Sequence, residues 1–272
     1  MDKGFFGFPV GSSENLQRPS SRASVPHGKG VLPSPARGID AGPVGFIEKF
    51  MPTMITGCTL WLDASDDSVF TGSSGSRISQ WRDKSGNGRH TNQTVEDRQP
   101  TRDTYQNSKL VVRSNGTTQF MTSALLTGTG TIFGVARLVQ HSTSGSRDYF
   151  ATGTTGGSGP LLSLNTNQSV GFVNQNISFV MSTICPSPSG WQMQCLISQS
   201  GANRLYQNGT LVLSSTTALN SPTNNTYLFA NATGNFSAME VAEIIVYNTR
   251  LADAPRIRVE QYLRFKWGTP NG

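Results

Sequence analysis

From Thr56 onward, apolar and polar residues alternate in short runs. Turn residues interrupt them about every eight to twelve positions, the rhythm of a β-sandwich. Cys58-Thr59-Leu60-Trp61-Leu62-Asp63 alternates as a half-buried strand does, and Ile78-Ser79-Gln80-Trp81-Arg82 is a second run of the same kind. Asn115-Gly116 lies between Leu110–Arg113 and Gln119–Thr122, and Asn208-Gly209 lies between Arg204–Gln207 and Thr210–Leu213. Asn-Gly supplies two residues that tolerate positive φ, so both segments read as hairpins. Thr131–Val139 reads as a central strand, and Phe179–Ile184 reads as the partner of Trp191–Ser198 around a Pro/Ser/Gly turn. Tyr227–Ala230 and Met239–Tyr247 close the series.

The period changes near the C-terminus. Val259, Leu263 and Trp267 stand four apart with Tyr262 beside them, the stripe of an amphipathic helix. Asp253 is placed to cap it, Pro255 is tolerated in its first turn, and Gly268 and Pro270 stop it. This helix is expected to close one end of the sandwich. The predicted architecture is all-β: a two-sheet antiparallel jelly-roll sandwich over residues 55–272 with one C-terminal α-helix. Residues 1–54 read as an extended irregular arm, rich in Gly, Pro and Ser and without a sustained period. Its apolar anchors Phe5, Phe6, Phe8, Phe46 and Phe50 are the expected partner-binding residues.

Composition adds two constraints. Hydrophobic residues make up 35% and charged residues only 14%, which does not fit a charge-driven disordered chain. The net charge of +6 is spread unevenly, with basic residues in the arm and in the stretch from Arg250 to Lys266, but it forms no basic run, so a nucleic-acid groove is not expected. Three cysteines, Cys58, Cys185 and Cys195, are too few for a disulfide framework. Cys185 and Cys195 either face each other across a hairpin or are buried free thiols, and no spacing suggests zinc. No stretch is apolar enough for a membrane span, and the N-terminus lacks a standard signal peptide. Eight Asn-x-Ser/Thr sequons begin at Asn92, Asn115, Asn167, Asn176, Asn208, Asn224, Asn231 and Asn235, and they matter only in a glycosylation pathway.

Three segments in order resemble a known superfamily. The first is Leu60-Trp61-Leu62-Asp63-Ala64 with Trp81-Arg82-Asp83-Lys84-Ser85-Gly86-Asn87-Gly88 and Arg98-Gln99-Pro100-Thr101. The second is Arg204-Leu205-Tyr206-Gln207-Asn208-Gly209. The third is Ala242-Glu243-Ile244-Ile245-Val246-Tyr247-Asn248, then Val259-Glu260-Gln261-Tyr262-Leu263 and Lys266-Trp267-Gly268. Together they are similar to the concanavalin A-like lectin/glucanase superfamily in its laminin-G-like form. Such modules occur in bacterial surface proteins, phage fibres and capsid-associated proteins of large viruses.

The glucanases of that superfamily carry Glu-x-Asp-x-x-Glu, whose carboxylates perform retaining hydrolysis. That run is missing here, and no enzymatic activity is expected. Asp63, Asp66, Asp67 and Asp83 are candidate calcium ligands, or else members of a polar loop with Asx turns. Tyr105, Tyr149 and Trp191 are candidate glycan contacts, and core packing explains Trp191 equally well. Trp61 and Trp81 are expected in the core. Glu243, set among apolar neighbours, is expected to face outward or to meet a basic partner such as a helix arginine.

Two functions remain. One is a viral structural protein, a minor capsid, decoration or fibre-associated subunit of the virion, bound to other capsid proteins through the arm. The alternative is a lectin-like module that binds carbohydrate at an extracellular or cell surface.

Overall fold

A computed structural model describes residues 50–72, 76–124, 126, 130–139, 148–152, 160–164, 169–174, 177–180, 190–198, 201–216, 225–231 and 234–270. The strands in chain order are β1 (Cys58–Asp63), β2 (Phe70–Gly72), β3 (Ile78–Trp81), β4 (Thr91–Asn92), β5 (Thr101–Gln106), β6 (Lys109–Arg113), β7 (Met121–Ser123), β8 (Thr131–Leu138) and β9 (Asp148–Thr152). They continue with β10 (Pro160–Leu164), β11 (Ser169–Asn174), β12 (Ile177–Val180), β13 (Gln192–Ile197), β14 (Asn203–Gln207), β15 (Thr210–Ser215), β16 (Thr226–Leu228) and β17 (Met239–Tyr247). One helix, α1 (Asp253–Trp267), follows.

The strands form two antiparallel sheets. The first has the order β15-β14-β13-β8-β17-β6-β5, with β1 also paired to β17. The second has the order β12-β11-β10-β9-β16-β7-β4-β3-β2. Burying one face of each sheet against the other yields the sandwich the sequence predicts, while β9, β10, β13 and β17 are buried at every position. Thr131–Leu138 is central, as expected, flanked by β13 and β17.

Tyr149 shows how closely the sheets approach. From β9 it reaches Gly134 of β8, where a Cβ would stand 2.5 Å from the tyrosine oxygen. Its hydroxyl donates to Gln194 Oε1 at 2.9 Å.

The opposite face of the first sheet carries α1. Cys195 registers with Tyr206 and Phe133, Phe133 with Ile245, and Ile245 with Trp61, so these side chains share one face. Arg256 of α1 lies over Tyr206, and the Trp267 indole bonds Glu243. The helix therefore covers the back of a sheet rather than one end of the sandwich. Trp61 lies beneath it, while Trp81 is fully buried against Phe70. Ala252, not Asp253, occupies the cap position and makes no side-chain cap bond; Asp253 is the first helical residue. Gly268 ends the helix in the left-handed region, as the sequence predicts.

Three further expectations are corrected. Asn208-Gly209 does turn β14 into β15, with φ of 52° and 93°. Asn115-Gly116 makes no hairpin, because β6 belongs to the first sheet and β7 to the second. Nor do the strands around Phe179 and Trp191 pair: β12 joins β11, whereas β13 lies between β8 and β14. Phe50, expected to hold a partner, packs edge-on to Tyr262 of α1, with centroids 5.5 Å apart, beneath Arg258. The Tyr247 hydroxyl also donates to the Pro52 carbonyl, so residues 50–54 already belong to the sandwich. Phe5, Phe6, Phe8 and Phe46 lie outside the described residues, as does Cys185. Cys58 and Cys195 are free thiols.

Candidate functional site

Two polar clusters stand out, both organised by β17. A bulge at Ala242 shifts the register between Val241 and Glu243. It turns Glu240 and Glu243, three residues apart, to the same face of the sheet.

Glu243 is completely buried beneath α1. Its Oε1 accepts from Trp61 Nε1–H at 2.7 Å and from the Tyr262 hydroxyl at 2.9 Å. Its Oε2 accepts from Lys266 and from Trp267 Nε1–H, both at 2.7 Å. The basic partner is thus a helix lysine rather than an arginine. Lys266 also donates to Asp63 Oδ1 at 2.6 Å, and Lys84 bridges Asp63 and Asp66 at 2.9 and 2.8 Å. Burial lifts the Glu243 pKa, and Lys266 only partly offsets it. At Asp63 burial acts in the same direction, but Lys266 and Lys84 outweigh it and hold the pKa below 3.8. This cluster ties α1 to β1 and β17, with two donors on each oxygen of Glu243.

The four aspartates proposed for calcium therefore serve other partners. Asp63 and Asp66 hold ammonium groups, Asp67 pairs with Arg102 at 2.5 Å, and Asp83 staples a turn. Asp83 accepts from the backbone N–H of Trp61, Ser85 and Arg89 at 2.9, 2.8 and 3.1 Å. Among the described residues no acidic, histidine or cysteine cluster converges as a metal site would require.

The second cluster opens to solvent. Where β8 and β6 end and β17 begins, a cleft of about 330 Å³ is lined by Thr101, Arg113, Asn115, Gln119, Val139 and Ala238, among others. The loop from β6 to β7 forms its wall. Asn115 Oδ1 accepts from the N–H groups of Thr117, Thr118 and Gln119 at 3.0 to 3.2 Å, which stiffens that loop. Gln119 is about nine-tenths buried, and its Oε1 accepts from Asn115 N–H at 2.9 Å. That bond fixes the carboxamide, whose Nε2 has no acceptor among the described residues.

Behind the cleft, Glu240 Oε2 receives both Nε, at 2.8 Å, and Nη2 of Arg137. Glu240 Oε1 accepts no hydrogen bond, and Arg113 Nη1 stands 3.8 Å from it. A second cavity, of about 320 Å³, lies at the opposite end of β8 between Ile197, Arg204 and the Arg250–Asp253 link.

The three aromatic glycan candidates part company. Tyr149 is sealed between the sheets. Trp191 is buried beneath Arg137, whose guanidinium lies 5.6 Å from its ring centroid. Tyr105 is 65% exposed on β5, the edge strand that begins at the cleft with Thr101. Sequence reasoning missed Arg113, Gln119 and Glu240, because only the pairing of β17 with β6 and β8, together with the crossing loop, brings them together.

No protein-family model and no curated protein matches the chain. Solved structures do. A Trypanosoma rangeli sialidase in complex with sialic acid matches with a TM-score of 0.58 at 13% identity, over 80% of this chain and 34% of that one. The binding domain of botulinum neurotoxin DC in complex with SialylT matches at 0.57 and 11%, over 80% and 55%. The receptor-binding domain of botulinum neurotoxin type G matches at 0.55 and 15%, over 79% and 54%. The chain thus spans about a third of the sialidase and about half of each toxin domain. At these identities the likeness establishes a shared β-sandwich fold and nothing of function.

The expectation that the chain is not an enzyme is corrected by the same finding, because proteins sharing the fold include sialidases. Lacking the carboxylate motif of one glucanase group removes one catalytic arrangement, not all those a sandwich can carry. The likenesses offer no support for a virion or for capsid partners. No helix among the described residues is long and apolar enough to cross a membrane.

Proposed function

We propose that this β-sandwich is a lectin-like module that binds glycans at an extracellular or cell surface, through the cleft between the β6–β7 loop and the start of β17. The observation that carries the reading is Gln119, whose carboxamide is fixed in the cleft wall through its Oε1 while Nε2 makes no hydrogen bond among the described residues. A donor already held in place gives a ligand that accepts from it a bond at little ordering cost. Thr101, Asn115 and Arg113 add polar contacts around the apolar Val139 and Ala238, the mixture that orients a small ligand. The fold supports the reading, since structures that share it carry sialic acid or SialylT. Tyr105 stands four residues along β5 from Thr101, about 13 Å in an extended strand, and offers a platform to a longer glycan.

The test is a glycan array probed with the full chain, followed by titration of the glycans retained. Binding of a discrete set is expected. Val139→Trp, which fills the cleft, should abolish it while thermal unfolding stays cooperative. If no glycan is retained, or if the filled variant binds like the parent, the reading fails.

A further inference from the structure

Building on the glycan reading, we propose that the cleft selects a carboxylate-bearing sugar, with Arg113 pairing the carboxylate and Gln119 Nε2 donating a second bond to it. Charge arithmetic is the first argument. Two arginines, Arg113 and Arg137, face the single carboxylate of Glu240, so the group carries one surplus positive charge. The surplus is not shared evenly. Arg137 holds Glu240 Oε2 through two nitrogens and rests on Trp191. Arg113 reaches only to 3.8 Å from Oε1, beyond hydrogen-bond distance, and its side chain is 43% exposed. The loosely held arginine is the one that lines the cleft.

The hydrogen-bond inventory is the second argument. A guanidinium has five donors and no acceptor. One of the two lone pairs of Gln119 Oε1 is already taken by Asn115 N–H, which leaves its side chain with two donors and at most one acceptor site. The Thr101 hydroxyl donates to Asp103 at 3.3 Å, an exposed residue that also accepts from Ser76. A neutral sugar brings hydroxyl protons that need acceptors, of which Arg113 provides none and Gln119 at most one. A carboxylate brings acceptors alone, and its two oxygens suit the planar fork of an arginine.

The test titrates the full chain with 3′-sialyllactose, its methyl ester and lactose. The ester keeps the shape and removes the charge. The expected result is a preference of about tenfold or more for the acid over both neutral probes, the range of a charge-assisted pair. Arg113→Gln should erase the preference. Gln119→Glu should do the same, because it keeps an oxygen for Asn115 N–H and replaces the donor with a like charge. Arg204→Gln, in the cavity at the other end of β8, should leave the preference intact. Thermal unfolding of each variant shows whether it is folded. Equal affinity for all three probes overturns the acidic-sugar inference and spares the glycan reading. Binding of none of them, together with an empty array, overturns both. A preference that survives in folded Arg113→Gln, or in folded Gln119→Glu, also overturns the inference.

Discussion

Two glutamates stand three residues apart on β17, share one face of the sheet, and have opposite fates. Glu243 accepts four hydrogen bonds, two on each oxygen, from Trp61, Tyr262, Lys266 and Trp267. Glu240 is as deeply buried, yet one of its oxygens accepts none. The first is closed by a helix, and the second backs onto an open cleft. A fully satisfied buried network fixes one arrangement of the elements around it, whereas Glu240 leaves one carboxylate oxygen without a donor. The difference separates a cluster that secures a helix from one that secures only neighbouring strands.

The sharpest break of the comparison is Glu243→Ala. Removing that carboxylate strands two indole N–H groups, a tyrosine hydroxyl and part of the Lys266 charge beneath α1. The expected destabilisation is about 3–5 kcal/mol, the range for a buried ion pair that loses one partner. Chemical denaturation measures it, and a loss below about 1 kcal/mol would mean that the network does not secure the helix.

A smaller effect depends on pH. Asp63 is held below its ordinary 3.8 even though burial opposes this, because Lys266 and Lys84 prevail. Its contribution is therefore present above pH 3.8 and is lost as the pH falls through the lower folded-state value. Glu243 has the opposite sign. Burial raises it above 4.5, so its contribution is complete below pH 4.5 and fades as the pH rises through its higher folded-state value. The stability difference between the wild type and Asp63→Asn should accordingly shrink on acidification below pH 3.8. Thermal unfolding followed from neutral pH down to about pH 3 checks this. A difference that does not change with pH would show that the lysines do not hold the carboxylate ionised.

Much of the scaffold was legible in the chain. Period-2 runs gave most of the strands, the 259–263–267 stripe gave the helix, and the two together gave a two-sheet sandwich with one helix. The cleft was not legible, and two residues show why. Asn115-Gly116 carries the same signal as Asn208-Gly209, but Asn115 Oδ1 ties down the next turn and Gly116 presses on Ala238, where a Cβ would meet the alanine methyl at 2.7 Å. Local propensity specifies a reversal of direction; it does not specify which sheet receives the next strand. The second residue is Ala242. Strict alternation along β17 puts Glu240 and Glu243 on opposite faces, and only the bulge unites them. Trp191 was legible as a large aromatic that core packing could explain, but its place beneath Arg137 depends on β8 and β13 becoming neighbours although they are far apart in sequence, which no local pattern encodes.

The smallest effect sharpens the contrast most. Arg113→Ala removes a charge that is 43% exposed and stands 3.8 Å from Glu240 Oε1. An ion pair with that exposure and separation contributes little, and the expected loss of stability is about 0.5 kcal/mol or less. Glu240 keeps Arg137 on its other oxygen, so its charge remains compensated. Urea denaturation of the variant beside the wild type gives the number. A loss approaching that of Glu243→Ala would place Arg113 in the same structural role as Lys266 and erase the distinction between the clusters. A loss near zero keeps the two clusters distinct, with Lys266 securing the helix and Arg113 adding little to the fold.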